Sequence, residues 1–399
     1  LLTHATLRNI FKQDFEKFFR SYQVPGRSVR IIPEAGQDRY TPIQNMIKEE
    51  LESGEYFSEE NIDTFMYQQL FYSTNNWHYV YQNNECVFNK DTPLEDIISL
   101  LESRTELQYN RLLISDIETE KYSLCTTRIE SNNDNLKSIN FIVKIGNVEL
   151  NSEKYNFFSA ITVDMEHNLV IIRFNQNLLD NFELDPLDVL THLKDLLNGF
   201  VQQGEEINPF EPLGLNIIGF NEEVPKKIIS SLFKELSSEA EDILNARVPE
   251  NTDNDIRGFL VEKGLPSEED YIQQIKSVIY QDISQTCANT IFANGWVFRF
   301  VFREGQLTRA SSRTDDRSPI YGSKVYWHLK ELIFKSDEMY EAGFLWYLEN
   351  PDNTEDPKYV EVRLESRSDS LILHYYHKMR TPDRKEKEDF VLRKINSYF

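Results

Sequence analysis

Cysteine, glycine and long apolar runs are all scarce in this chain of 399 residues. The three cysteines, Cys86, Cys125 and Cys287, are odd in number and far apart, which excludes a disulfide scaffold or a zinc finger and fits a reducing compartment. With only 14 glycines there is no GxxxxGK phosphate loop and no GxGxxG dinucleotide fingerprint. HExxH, paired cysteines, an EF-hand loop and GxSxG are missing as well, so no closed metal site or serine hydrolase is expected. No apolar stretch approaches the roughly 18 residues of a membrane helix, so no membrane partner is expected. The opening residues lack the basic start and apolar core of a signal peptide, and the absent initiator Met is read as trimming. The expected location is the cytoplasm.

Positive charge is also short. Lys and Arg total 43 against 66 Asp and Glu, a formal net charge of −23. A field of that sign repels nucleic acid at long range. The deficit is uneven, however. Residues 201–290 hold 7 basic and 17 acidic groups, whereas 291–399 hold 18 of each. Within the neutral part, Arg299, Arg303, Arg309, Arg313, Arg317 and Lys324 form the one basic segment, running on to Lys330.

What the chain has in quantity is ring area: 26 Phe, 20 Tyr and 4 Trp. That is enough to bury large cores, so disorder is excluded. Leu7, Ile10, Phe11, Phe15, Phe18 and Phe19 recur at helical spacing, ended by Pro25-Gly26. Helices are also expected over Pro42 to Leu51 and from Ser58, with Glu59 and Glu60 in the first turn. From Trp77 to Phe174 the period shortens to strands. The expected hairpins turn at Asn83-Asn84, at Gly146-Asn147 and across 164–168, with a helix from Pro93 to Leu101 inserted.

Helical pattern returns over Leu184 to Phe200, Pro225 to Leu244 and Ser267 to Ala293, with a polar loop over 249–255. Gln203 to Pro212 reads as a linker, and Leu215 to Phe220 as a short strand. In Trp296 to Phe302 the even positions offer one aromatic face to a core. A helix over Lys324 to Phe334, a hairpin joining Tyr359–Leu364 to Leu371–Tyr376, and a helix from Pro382 close the chain. The fold class is α+β: an N-terminal helical segment, a central antiparallel sheet and a second mixed α+β C-terminal module. The domains read as 1–75, 76–202 and 213–399, with a further sub-boundary near 294.

Several residues are candidates for chemistry or contact. Glu361 and Arg363 would share one strand face behind Asp352, Glu355 and Asp356. That is the nearest approach to a Mg²⁺-dependent nuclease, whose paired carboxylates hold the metal. The basic segment 299–330 could then bracket phosphates, unless its arginines pair with Asp315, Asp316 and other acids. Asp164, Glu166 and His167 cluster where a turn collects polar groups. His374 and His377 diverge if they lie on a strand. Cys125 and Cys287 read as buried thiols. Trp77, Tyr79, Trp346 and Tyr347 are candidate anchors at a protein interface.

Three functions follow. The leading expectation is a non-enzymatic regulatory or interaction subunit of a larger assembly, without a cofactor. Its acidic body would meet another protein or a second copy of the chain. The alternatives are the nuclease, with nucleic acid held by 299–330, and an acidic mimic of DNA.

Overall fold

The N-terminal apolar stripe folds as two helices rather than one, α1 (His4–Leu7) and α2 (Lys12–Ser21), with Phe11 extended between them. They belong to a computed structural model that describes residues 2–24, 31–89, 91–115, 120–132, 135–200, 208–284, 292–304, 308–377 and 383–399. Pro25-Gly26, Cys287 and the first half of the expected linker therefore lie outside the described residues. The chain forms two compact units, Leu1–Gly219 with Met379–Arg384, and Phe220–Lys378 with Lys385–Phe399. The architecture is α+β, with an N-terminal helical stretch, antiparallel strand pairing throughout the named sheet registers, and a C-terminal mixture of helices and strands.

In the first unit, α3 (Thr41–Ser53) stops at Gly54, whose φ of 64° few other residues adopt at low cost. α4 (Glu59–Gln68) starts with a reciprocal capping box between Ser58 and Asn61. A π turn over Gln69–Ser73 then leads into β1 (Trp77–Asn83). Next come α5 (Leu94–Ser103), β2 (Ser123–Asn132), β3 (Asn135–Leu150), β4 (Glu153–Asp164) and β5 (Leu169–Phe174). α6 (Gln176–Asp180), α7 (Pro186–Leu197) and β6 (Ile217–Ile218) complete the set. The strand order is β2-β3-β4-β5-β1, with β6 on β1.

The apolar side chains of α1 to α4 share one core with the sheet. Leu7, Phe15, Phe19, Ile43, Ile47 and Phe71 pack with Cys125, Ile142, Phe158 and Ala160. Phe141 and Phe157 instead meet Phe210 and Phe182, at ring separations of 5.0 and 5.3 Å.

Two expected turns do not exist. Gly146-Asn147 lies inside the 16-residue strand β3, where a bulge at Lys144/Gly146 absorbs the irregularity. A Cβ on Gly146 would stand 2.9 Å from the Phe182 ring, so the glycine serves packing rather than a turn. Asn83-Asn84 ends β1 without a hairpin, since β1 pairs with β5 and β6 and Cys86–Phe88 is not a strand.

The second unit opens with α8 (Glu223–Asn245), α9 (Thr252–Glu262) and α10 (Glu269–Ile283). α9 begins at Thr252, inside the stretch 249–255 that reads as a polar loop, because Asn, Asp and Thr there form its first turn. Then follow β7 (Gly295–Glu304), β8 (Thr308–Arg313), α11 (Lys324–Lys335), β9 (Glu341–Tyr347), β10 (Tyr359–Arg367), β11 (Ser370–Tyr375) and α12 (Arg384–Asn396). The strand order is β11-β10-β9-β7-β8. α8 lies on β7, β9 and β10 with Ile229, Leu232 and Phe233 buried, and the Phe233 ring meets Phe300 at 5.9 Å. Among the described residues no helix is long and apolar enough to cross a membrane.

Candidate functional site

The sheet face turned away from α8 gathers most of the arginines, and the register explains how. Arg313 pairs with Arg299, Arg299 with Gly343, Gly343 with Arg363 and Arg363 with His374. Residues directly opposite in antiparallel strands point to the same side. One transverse row across β8, β7, β9, β10 and β11 therefore carries three arginines and a histidine. Two positions along, Arg309 pairs with Arg303 on the same side.

A bulge in β7, between Val297 and Arg299 where it pairs with β9, shapes this face. It breaks the even-position aromatic set that the sequence pattern suggests. Phe300 stays on the α8 side, while Phe298 sits over Gly343 and meets the Tyr376 ring at 6.0 Å. A Cβ at Gly343 would be 2.4 Å from the Phe298 ring, so only glycine fits. The Trp296 indole donates to the Arg317 carbonyl at 2.8 Å and so anchors the loop that brings Arg317 here.

Three of these cations are neutralised locally. Arg299 pairs with Glu341, Arg317 donates to Glu361 at 2.6 Å and lies over the Tyr376 ring, and Arg363 is 3.7 Å from Glu365. The expected pairing of arginines with acids thus occurs, but the glutamates of β9 and β10 supply it. Arg303 turns its guanidinium over the Tyr340 ring at 4.6 Å. Arg309 and Arg313 are exposed, and among the described residues neither has an ion-pair partner. Lys324 begins α11 and pairs with Asp282 at 3.9 Å, so it does not join the row. His374 is pushed down to about 4 by burial first, then by the charges of Arg363, Arg317 and Arg299.

Glu361 and Arg363 share one face of β10, as expected, but among the described residues no group of acids that could hold a metal gathers around them. Glu361 is spent on Arg317 and Arg363 on Glu365, while Asp352, Glu355 and Asp356 sit exposed in the loop before β10. Among the described residues no three His, Cys, Asp or Glu side chains converge as a metal would require. Asp164 is used up by its own turn: Oδ1 accepts from the Glu166 and His167 amides, and Oδ2 lies 2.9 Å from His167 Nδ1. Burial pushes the Cys125 thiol up to about 12, so it is inert as a nucleophile.

The suggested interface rings lie mostly inside. Trp77, Tyr79 and Trp346 are buried and Tyr347 is half-buried, because β1 and β9 are covered strands. The exposed apolar groups lie elsewhere, on helices of the second unit. Tyr271 and Val278 of α10 and Val325 and Leu332 of α11 are between 40 and 61% exposed. On α11, Tyr326, Trp327 and Ile333 are buried, while Val325 and Leu332 face water. α10 and α11 pack side by side, bracketed by Lys335–Asp270 at 2.5 Å and Lys324–Asp282 at 3.9 Å. Phe259, Val261 and Leu265 at the end of α9 are exposed as well.

Some of the acidity around these helices is offset within the unit. Glu241 meets Lys330 at 3.0 Å and Glu235 meets Lys394 at 2.6 Å. The first unit holds an open cleft of about 790 Å³ between residues 83–91 and the 165–168 turn, lined by Asn83, Glu85, Cys86 and Glu166. Sequence patterning gave no sign of it, since loops of different origin form its walls. No protein-family model matches the chain, and no curated protein matches it.

Proposed function

We propose that the chain is a non-enzymatic interaction subunit that binds an amphipathic helix of a protein partner across α10 and α11. The observation that carries this reading is the set of four large apolar side chains, Tyr271, Val278, Val325 and Leu332, left in water on two packed helices. Exposed apolar groups in contiguous patches mark contact surfaces. Of the carboxylates at the ends of α10, Glu269, Asp270 and Asp282 are paired with Arg257, Lys335 and Lys324, so the flanks of the two helices carry both signs of charge. Apolar side chains exposed on two packed helices accept the apolar side of an amphipathic helix.

The test uses an 18-residue Lys/Leu peptide of amphipathic pattern, labelled for fluorescence anisotropy, against the full chain. A scrambled peptide of the same composition is the control. The amphipathic peptide should bind at least tenfold tighter than the scrambled one, and Val278→Glu with Leu332→Glu should remove that preference. Both positions are exposed, so the variant keeps the wild-type unfolding midpoint. Equal binding of the two peptides, or an unaffected variant, overturns the proposal.

A further inference from the structure

We infer that strand β8 is a docking edge for an extended acidic segment of a partner protein, which would add to the second unit's sheet as a further strand. Among the described residues β8 pairs with β7 alone, so its outer row of backbone N–H and C=O groups has no strand beside it. An open edge of this kind is a template for strand addition. Its sequence, Thr-Arg-Ala-Ser-Ser-Arg, is small between the arginines, with no proline to block pairing.

Charge decides which strand it accepts. Arg309 and Arg313 are exposed on one side of β8, and each stands directly opposite an arginine of β7. Like charges directly opposite in a sheet are destabilising. On the β7 side the conflict is relieved, because Arg299 pairs with Glu341 and Arg303 packs on Tyr340. On the β8 side nothing among the described residues relieves it. An incoming strand with carboxylates at alternate positions would place them beside Arg309 and Arg313 and supply the missing counter-charge. A second copy of β8 would bring four arginines together, so the same residues that attract an acidic strand exclude self-pairing.

The same arginines suit nucleic acid less well. Tight non-specific binding to a duplex draws on many phosphate contacts at once, and here Arg299, Arg317 and Arg363 are already held by glutamates. Nucleic acid also has no use for the open backbone edge. The proposal is independent of the helix-binding surface on α10 and α11, and the two can fail separately.

The test measures fluorescence anisotropy of a labelled Glu-Val-Glu-Val-Glu-Val peptide against the full chain at low and physiological salt. Binding should weaken as salt rises. The Arg309→Glu, Arg313→Glu variant should lose at least tenfold in affinity, and Arg309→Gln, Arg313→Gln should lose less. Both variants change only exposed side chains, and an unchanged unfolding midpoint shows that they fold. A peptide N-methylated at alternate residues keeps its charge and loses pairing donors, so its binding should also fall at least tenfold. Equal binding of the N-methylated peptide reduces the effect to bulk charge and overturns strand addition. So does an unaffected arginine variant, no binding at all, or tighter binding of a single-stranded oligonucleotide of equal charge.

Discussion

Replacing Trp346 with alanine should lower the unfolding free energy by about 3–5 kcal/mol, the usual loss when a large buried ring is removed. Trp346 is 1% exposed, and its ring stacks on Phe344 at 4.5 Å with the planes 7° apart. It belongs to β9, the strand between β7 and β10, so the cavity would open in the middle of the second unit's sheet. Domains commonly hold only about 5–15 kcal/mol in total, so the variant should be marginal at 37 °C. The measurement is urea unfolding followed by Trp fluorescence and circular dichroism, with the m-value compared to wild type. Tyr347→Ala is the control, since that ring is half-buried and touches Trp296 and Tyr359 edge-on. A Trp346→Ala midpoint equal to that of wild type would mean that the ring is a surface anchor after all.

The second large effect is on pH dependence. His374 titrates near 6.5 in an unfolded chain and is held down to about 4 in the fold by burial and by Arg363, Arg317 and Arg299. Between those values the unfolded state binds the proton and the folded state does not. Stability therefore rises with pH across this window. Read downward, the contribution is complete above pH 6.5 and is lost as pH falls towards 4. The depression corresponds to roughly 3 kcal/mol.

Glu341, Glu361 and Glu365 share the face with the arginines, so the wild-type curve alone does not isolate the histidine. The difference from His374→Gln does. Between pH 7 and pH 4 wild type should lose roughly 3 kcal/mol more than the variant. Parallel curves would show that the three arginines and burial do not act on His374.

Much of the fold is legible in the sequence where one face is buried and the other wet. β10 and α8 follow their hydrophobic patterns closely because alternation and helical period survive in them. β9 escapes notice for the opposite reason. Glu341–Tyr347 is buried on both faces for almost its whole length, so it carries no alternation, and Gly343 resembles a break. Its rings then look like surface anchors. At Gly146-Asn147 the residue types of a turn are used for a bulge, a choice decided by the Phe182 ring from a distant part of the chain.

The arginine face shows the same limit for function. Which residues are basic is plain from the sequence, but Arg299, Arg313 and Arg363 become neighbours only through strand register. The glutamates that pair with Arg299 and Arg317, Glu341 and Glu361, lie 40 or so residues away, and Glu365 pairs with Arg363 on the same strand. The exposed strip on α10 and α11 is hidden similarly, since Val325 and Leu332 fit an inward stripe until Tyr326 and Trp327 claim the interior.

The division of the chain also sets an order of events during synthesis. The first unit includes Arg384, a buried side chain that donates to the Tyr72 carbonyl at 2.8 Å, although the rest of that unit ends at Gly219. A ribosome making roughly 5–20 residues per second needs on the order of ten to thirty seconds to pass from one to the other. Throughout that interval the Arg384 contact to the Tyr72 carbonyl is missing while most of the second unit is being made. The first unit is thus completed only when all but the last 15 residues of the chain exist, and truncation just before Arg384 would remove a contact made more than 300 residues upstream of the cut.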